Sequence, residues 1–309
     1  MHSEQQCFAV VAGESKAGTS SIFRYLGDHP EIQPSVVKQT NYFLTREYKW
    51  SKNDQALLYE EDKGQSFSSL FGKTSKNVKV LLDVSPDYLY CDESPQFLQE
   101  HFTDKNYFII VILRDPIQRL LSWYRFGKQI QLVPEDMDIT TFLKKQGDTG
   151  AGSMAFNAME SGRFLQYLKR YEKFIPSERL ITVSYDQLKD NPAKLLSDMA
   201  RRFDVSPDFY ADYEFNVHNR TEQVRSGNIQ KIYIKCQRKL HKLLSSQTYL
   251  QPIMKYPVRL IAKTYRRFNL AAPDAVKLSQ QEEAHLKNYY SAEYDFLRTL
   301  DVTRHQQPG

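Results

Sequence analysis

A chain of 309 residues is long enough to bury one large α/β core or two smaller ones. Charged residues make up 26% of it and the mean hydropathy is −0.59, and its apolar runs, near 8–12 and 107–113, are of strand length, which excludes a membrane-spanning helix. Three widely spaced cysteines, Cys7, Cys91 and Cys236, exclude a disulfide framework, form no metal-ligand pattern and point to a reducing compartment. The net charge of +5 is uneven: ten Lys/Arg and no Asp or Glu fall between Lys231 and Arg267, while the rest of the chain is net acidic. That basic stretch reads either as solvated helices or as a face for an anionic glycan, lipid headgroups or a partner. No nucleic-acid-binding module accompanies it. The opening Met1–Gln6 has neither a basic nor an apolar leader segment, so a cytoplasmic location is expected.

In chain order, the first predicted element is a buried strand, Phe8–Ala12, that runs into the small-residue turn Gly13-Glu14-Ser15-Lys16-Ala17-Gly18. Thr19, Ser20 and Ser21 then open a helix whose apolar stripe is Ile22, Phe23 and Leu26, and Gly27 and Pro30 end it. Such a strand–loop–helix offers free amides and the positive end of a helix dipole to an anion, usually a phosphate. Lys16 lies inside the turn rather than after its second glycine, so the Walker A register is not met. This lysine would sit at the end of a phosphate rather than along a triphosphate. The alternative is an ordinary strand-to-helix turn with a solvated lysine.

Residues 31–43 read as a return segment, with His29 ending the first helix, and 44–79 as a polar insertion with a helical patch at Phe67–Phe71, expected to be a substrate wall or lid. Val80–Val84 is a second strand stopped by Ser85-Pro86, and a helix follows at 95–103. The most apolar strand is 107–113, after which Asp115 is a good N-cap and Pro116 suits the first helical position. Helices are expected at 135–147, 154–174 and 192–203, and a strand at 179–185. The stretches 44–79 and 130–160 are the expected acceptor side, 228–300 a basic helical part and 302–309 a disordered tail. No repeat or clear linker divides the chain, so a single domain over 1–309 is expected. Strands alternating with helices imply an α/β fold, a parallel sheet flanked by helices around a P-loop-like nucleotide-binding core, with ligands at the strand carboxyl ends.

A second stretch, Arg114-Asp115-Pro116-x-x-Arg119-x-x-Ser122-x-Tyr124, follows the third predicted strand. Together with the first loop it resembles the sulfotransferases that use 3′-phosphoadenosine 5′-phosphosulfate, nearer to the bacterial and Golgi heparan-sulfate-type branches than to the cytosolic steroid and phenol enzymes. His29-Pro30-Glu31-Ile32 and Asn41-Tyr42-Phe43 are similar to that family as well. The likeness is dense over the first half and looser after about residue 200.

The resemblance implies a division of labour. Lys16 would meet the charge that builds on the bridging oxygen as the sulfuryl group leaves, so no metal is implied. The amides of Ala17, Gly18, Thr19, Ser20 and Ser21, with the three hydroxyls, would hold the 5′-phosphate. Arg114 and Ser122 would hold the 3′-phosphate, the arginine through its planar fork, while Arg119 is either part of that site or structural. His218–Gly227 resembles the family's late loop, with Arg225, Ser226 and Gly227 at the matching positions; the plain reading is a surface loop before a helix.

The catalytic glutamate of the heparan enzymes stands in a segment like Lys38-Gln39-Thr40-Asn41-Tyr42-Phe43, where Gln39 takes its place. A carboxamide hydrogen-bonds an acceptor but takes no proton at neutral pH. Asp83, in Leu82-Asp83-Val84-Ser85-Pro86-Asp87-Tyr88, is the remaining carboxylate singled out, either as the base or as a residue that orients Lys16 or caps a turn. Val84 stands where the heparan enzymes carry a lysine. The expected activity is sulfuryl transfer to a hydroxyl, less readily an amine, of a glycan, lipid or metabolite. Two other readings stay open: a divergent P-loop-like phosphotransferase, and a nucleotide-binding scaffold that has lost catalysis at Gln39.

Overall fold

The computed structural model describes residues 6–45, 48, 66–147, 157–216, 223–224, 226–227, 229–230, 232–233, 235–236, 261, 264–265, 267–271 and 275–302. Five parallel strands form the central sheet: β1 (Cys7–Gly13), β2 (Ile32–Pro34), β3 (Val80–Val84), β4 (Asn106–Leu113) and β5 (Leu180–Ser184), in the order β2-β3-β1-β4-β5. β1 lies at the centre, with Val11 beside Val84 on one side and Ile110 on the other. Every residue of β1 is buried, as expected of a strand covered on both faces. The short β2 is an edge strand, and Pro34, which has no amide to donate, is tolerated there.

Successive side chains point to opposite faces, and each face has its own core. Ala9, Val11, Leu82 and Ile112 pack with α1 (Thr19–Gly27) and α7 (Pro192–Arg202). Phe8, Val10, Leu81 and Val111 pack with α2 (Ser94–Phe102) and α5 (Phe164–Phe174). A third cluster joins α3 (Pro116–Gln129), α4 (Ile139–Lys144) and α8 (Gln280–Tyr289) through Leu120, Tyr124, Phe142, Leu286 and Tyr290. α9 (Ser291–Val302) follows α8, and a two-residue antiparallel pair joins β6 (Gln223–Val224) to β7 (Leu270–Ala271).

The α/β class and the flanked parallel sheet are as the sequence predicts. Several boundaries differ. The helix expected over 135–147 is confined to Ile139–Lys144, because Asp138 caps it by accepting from the Thr141 amide. The one expected over 154–174 starts at Phe164, after a 3-10 turn, Glu160–Gly162. There a Cβ on Gly162 would lie 2.9 Å from the Tyr290 hydroxyl, so the close approach of α8 needs glycine. A short helix, α6 (Tyr185–Asp190), was not expected; Ser184 and Gln187 form a reciprocal capping box at its start.

Phe67 and Phe71, in the 3-10 turn of that insertion, are buried in the second core beside Leu44 and Phe102. The rest of that insertion, 46–47 and 49–65, lies outside the described residues, as do 148–156, most of the basic 231–267 stretch and 303–309. His29 is buried where α1 ends, between the Ser206 carbonyl and the Glu31 amide. His218 lies outside the described residues. Among the described residues no helix is long and apolar enough to cross a membrane.

Candidate functional site

The chain order reverses at β1: its successor β2 lies on one side and β4 on the other. Such a switch point leaves a crevice at the strand carboxyl ends, and the loop after β1 enters it. Gly18 is the residue before α1, with φ 87°, and no side chain caps the helix. Among the described residues the Thr19 and Ser20 amides of its first turn remain available to an anion, while the Ser21 amide donates to the Gly18 carbonyl at 2.9 Å and the Ala17 amide to the Glu14 carbonyl at 3.1 Å. A Cβ on Gly18 would come 2.9 Å from the Tyr185 ring, so both the left-handed backbone and the space require glycine. Lys16 is also left-handed, with φ 73°, a conformation that costs a non-glycine residue energy and is held by its surroundings.

Those surroundings are the second predicted stretch. The Glu14 amide donates to the Ile112 carbonyl at 2.8 Å. The Arg114 amide donates to the Glu14 carboxylate at 3.2 Å, and its guanidinium to the Lys16 carbonyl at 2.9 Å. The same guanidinium lies 4.6 Å from the centre of the Tyr185 ring. Asp115 caps α3 by accepting from the Gln118 amide at 2.8 Å, with Pro116 following, as the sequence predicts. Arg119 is fully buried: its Nε lies 2.7 Å from Glu14, and it donates to the Ala158 carbonyl and the Ser161 hydroxyl. Of the two readings of Arg119, the structural one fits this geometry. Burial pushes the Glu14 carboxyl up, and Arg119 pulls it back.

The Lys16 ammonium rests 4.1 Å from the centre of the Phe126 ring of α3. Burial, with like-charge repulsion from Arg114 and Lys38, brings it down from the lysine range to about 8. Lys38 reaches the same place from the loop after β2, donating to the Ser20 hydroxyl of α1 at 2.5 Å. Burial brings it also to about 8, Arg24 adding to the fall and Asp87 opposing it. Two lysines and an arginine thus meet at a helix start that no side chain caps. A polyanion is the ligand that relieves such a site.

Ser122 is buried on α3. Three residues on and on the same helix face, half-buried Arg125 has a buried Nε with no hydrogen-bond partner among the described residues. Burial and the charge of Arg114 both hold its guanidinium below the arginine range. The sequence reading passed over Arg125, although its spacing from Ser122 was visible. Ser226 and Gly227 begin a helical segment docked on the far end of α3. There Gln230 donates to the Gln129 carbonyl at 2.6 Å, and Gln131 to the Gly227 carbonyl at 3.4 Å. That end lies roughly 10 Å beyond Ser122 at ~1.5 Å per residue. Arg225 lies outside the described residues.

Asp83 is held otherwise than a solvent-facing base would be. It has no exposed surface, and the hydroxyls of Thr40, Tyr88 and Ser85 donate to it at 2.9, 2.9 and 3.1 Å. Burial raises its pKa and the three hydroxyls lower it. It fastens the 38–41 loop to the end of β3, helped by the Asn41 amide on the Ser85 hydroxyl and the Gln39 amide on the Val84 carbonyl. Lys16 is not among the hydrogen-bond partners of Asp83 in the described residues. Gln39 and Asn41 are left-handed, with φ 63° and 56°, and the Gln39 side chain is exposed at the rim.

Residues 9–242 match the model of the sulfotransferase domain. The chain is 25% identical over 194 residues to the human heparan sulfate glucosamine 3-O-sulfotransferase 3B1, covering 62% of this chain and 44% of that protein. It is 20% identical over 210 residues to the Drosophila melanogaster bifunctional heparan sulfate N-deacetylase/N-sulfotransferase, covering 64% of this chain and 20% of that protein. The chain thus spans less than half the length of these curated relatives. Its fold is similar to the crystal structure of a sulfotransferase from Alicyclobacillus acidocaldarius, with a TM-score of 0.56 and 18% identity, over 77% of this chain and 94% of that one.

Proposed function

The chain belongs to the sulfotransferase family, and from that premise we propose that it transfers the sulfuryl group of 3′-phosphoadenosine 5′-phosphosulfate to a hydroxyl, less readily an amine, of a glycan, lipid or small metabolite, releasing adenosine 3′,5′-bisphosphate. The observation that carries this reading is the meeting of Lys16, Lys38 and Arg114 at the uncapped start of α1, where burial brings the Lys16 and Lys38 ammonium groups both down to about 8. When bound, the donor brings an activated sulfuryl group whose departure leaves charge on a phosphate oxygen.

In this proposal the loop 17–21 holds the 5′-phosphate through the Gly18, Thr19 and Ser20 amides and the Thr19, Ser20 and Ser21 hydroxyls, the Ala17 and Ser21 amides being engaged by the Glu14 and Gly18 carbonyls. Lys16 meets the charge on the leaving oxygen, an interaction stronger in the transition state than before it. The loop and Lys16 supply the charge neutralisation, so the proposal calls for no metal. Arg114 and Ser122 take the 3′-phosphate, joined by Arg125, and by the family resemblance Arg225, Ser226 and Gly227 would add to its binding. A glycan hydroxyl is the first acceptor to test, because the relatives' names specify heparan sulfate glucosamine and its 3-O position.

The test is calorimetry with adenosine 3′,5′-bisphosphate, followed by mass spectrometry of reactions with the phosphosulfate donor. The acceptors are desulfated heparan oligosaccharides and p-nitrophenyl glycosides. Saturable binding and an 80-Da gain on an acceptor are expected. A chain that ignores the bisphosphate overturns the proposal.

A further inference from the structure

Sulfuryl transfer to a hydroxyl needs a proton acceptor, and Gln39 is not one. Asp83 has its carboxylate occupied by three hydroxyls and out of reach of solvent. Four residues on, Asp87 is placed differently. It lies in the 3-10 turn Pro86–Leu89, just beyond the carboxyl end of β3 and so at the same sheet end as the β1 loop. It is half-buried, and among the described residues nothing hydrogen-bonds its carboxylate.

The charged and titratable groups around Asp87 come from three segments. They are Lys38 from the loop after β2, Tyr48 from the segment beyond it, and Tyr90 from its own turn. Two of these lead directly into the anion loop. Lys38 donates to Ser20 at 2.5 Å, and the Ser15 amide donates to the Tyr90 hydroxyl at 3.3 Å. Asp87 thus lies within electrostatic reach of two side chains that hydrogen-bond into the phosphate cradle, and it follows by three residues Val84, whose carbonyl holds the Gln39 amide.

We propose that Asp87 takes the proton of the acceptor hydroxyl. This rests on the sulfuryl-transfer reading above. Asp87 accepts the proton from the acceptor oxygen, whose electron pair forms the new O–S bond. The S–O bond to the 5′-phosphate breaks, and its electron pair stays on the phosphate oxygen opposite Lys16. Asp87 then returns the proton to solvent. Burial, opposed by Lys38, raises its carboxyl to about 6, a suitable value for a base working near neutral pH.

The experiment compares wild type with Asp87→Asn, Asp87→Glu and Asp83→Asn, using the same donor and acceptor panel, and adds two readouts that need no turnover. Asp87→Asn is expected to lower kcat by about 10²- to 10⁴-fold and to remove the acid limb of the kcat/KM profile. Its calorimetric affinity for adenosine 3′,5′-bisphosphate should stay within about twofold of wild type. Asp87→Glu should recover part of kcat. In protein carrying ¹³C-labelled aspartate, one side-chain carboxyl should titrate near pH 6 and be missing from Asp87→Asn.

Near-normal turnover of Asp87→Asn, a retained acid limb, or loss of turnover in Asp83→Asn alone would overturn the assignment. If wild type binds the bisphosphate and transfers sulfate while Asp87→Asn does so equally, this inference alone falls. If wild type does neither, the functional reading falls first and takes this inference with it.

Discussion

Lys16 carries opposing demands. Its ammonium must be charged to meet a leaving phosphate oxygen, yet the fold buries it beside Arg114 and Lys38 and lowers it to about 8. Lys16→Ala should therefore reduce kcat by about 10²- to 10³-fold, the usual cost of removing one donor from a developing oxyanion, and circular dichroism should show an unchanged fold. The sign of the alkaline pH dependence follows. Lys16 and Lys38 are charged below about pH 8 and lose that charge above it, so kcat/KM should fall as pH rises through about 8. Asp87 gives the opposite limb, with activity falling as pH drops through about 6. A profile that stays flat from pH 5 to 9.5 would contradict both. The Lys16 loop and Arg114 were legible in the sequence because small residues, one lysine and a helix start are adjacent there. Asp87 was not, because what distinguishes it is the company the fold brings from distant segments, and Arg125 showed only its spacing from Ser122, its unpartnered buried Nε being a product of the fold.

Among the elements, the joint between β3 and the 38–41 loop holds Gln39 and Lys38 in place. Asp83 is its centre, receiving three hydroxyl hydrogen bonds. Asp83→Ala leaves those buried donors without an acceptor, which costs about 1–3 kcal/mol for each group left unpaired. Urea unfolding should show that loss, and kcat should fall more than the affinity for adenosine 3′,5′-bisphosphate, since the loop and not the cradle is loosened. Asp115→Ala removes the cap of α3, worth about 1 kcal/mol, together with the hydrogen bond that the Tyr294 hydroxyl makes to the same carboxylate. The periodic strands, the Asp115 cap and the Pro116 start could be read locally. The shortened helices could not, because Gly162 against Tyr290 is a contact 128 positions apart that no local pattern announces. The capping box of α6 was visible as Ser184-x-x-Gln187 and was passed over.

At the scale of the whole molecule, the phosphate loop is tied to parts of the chain far from it in sequence. Glu14 and Arg119 form a buried pair at 2.7 Å, and removing one partner strands the other charge. Arg119→Ala should cost about 3–5 kcal/mol, while the double replacement Glu14→Leu with Arg119→Met should recover much of it, both measured by chemical unfolding. The connection then continues outward. Arg119 donates to the Ala158 carbonyl, and the neighbouring Met159 carbonyl accepts from the Tyr290 hydroxyl at 2.8 Å. The closing helices therefore act as a buttress for a cradle built at the opposite end of the chain. Damage near residue 290 should loosen the grip on the bisphosphate without touching it: Tyr290→Phe, which deletes one oxygen atom, should weaken calorimetric affinity several-fold. The evolutionary corollary is that the carboxy-terminal helices, where likeness to the family model has already ended, are answerable to the chemistry of the opening loop and not free to drift.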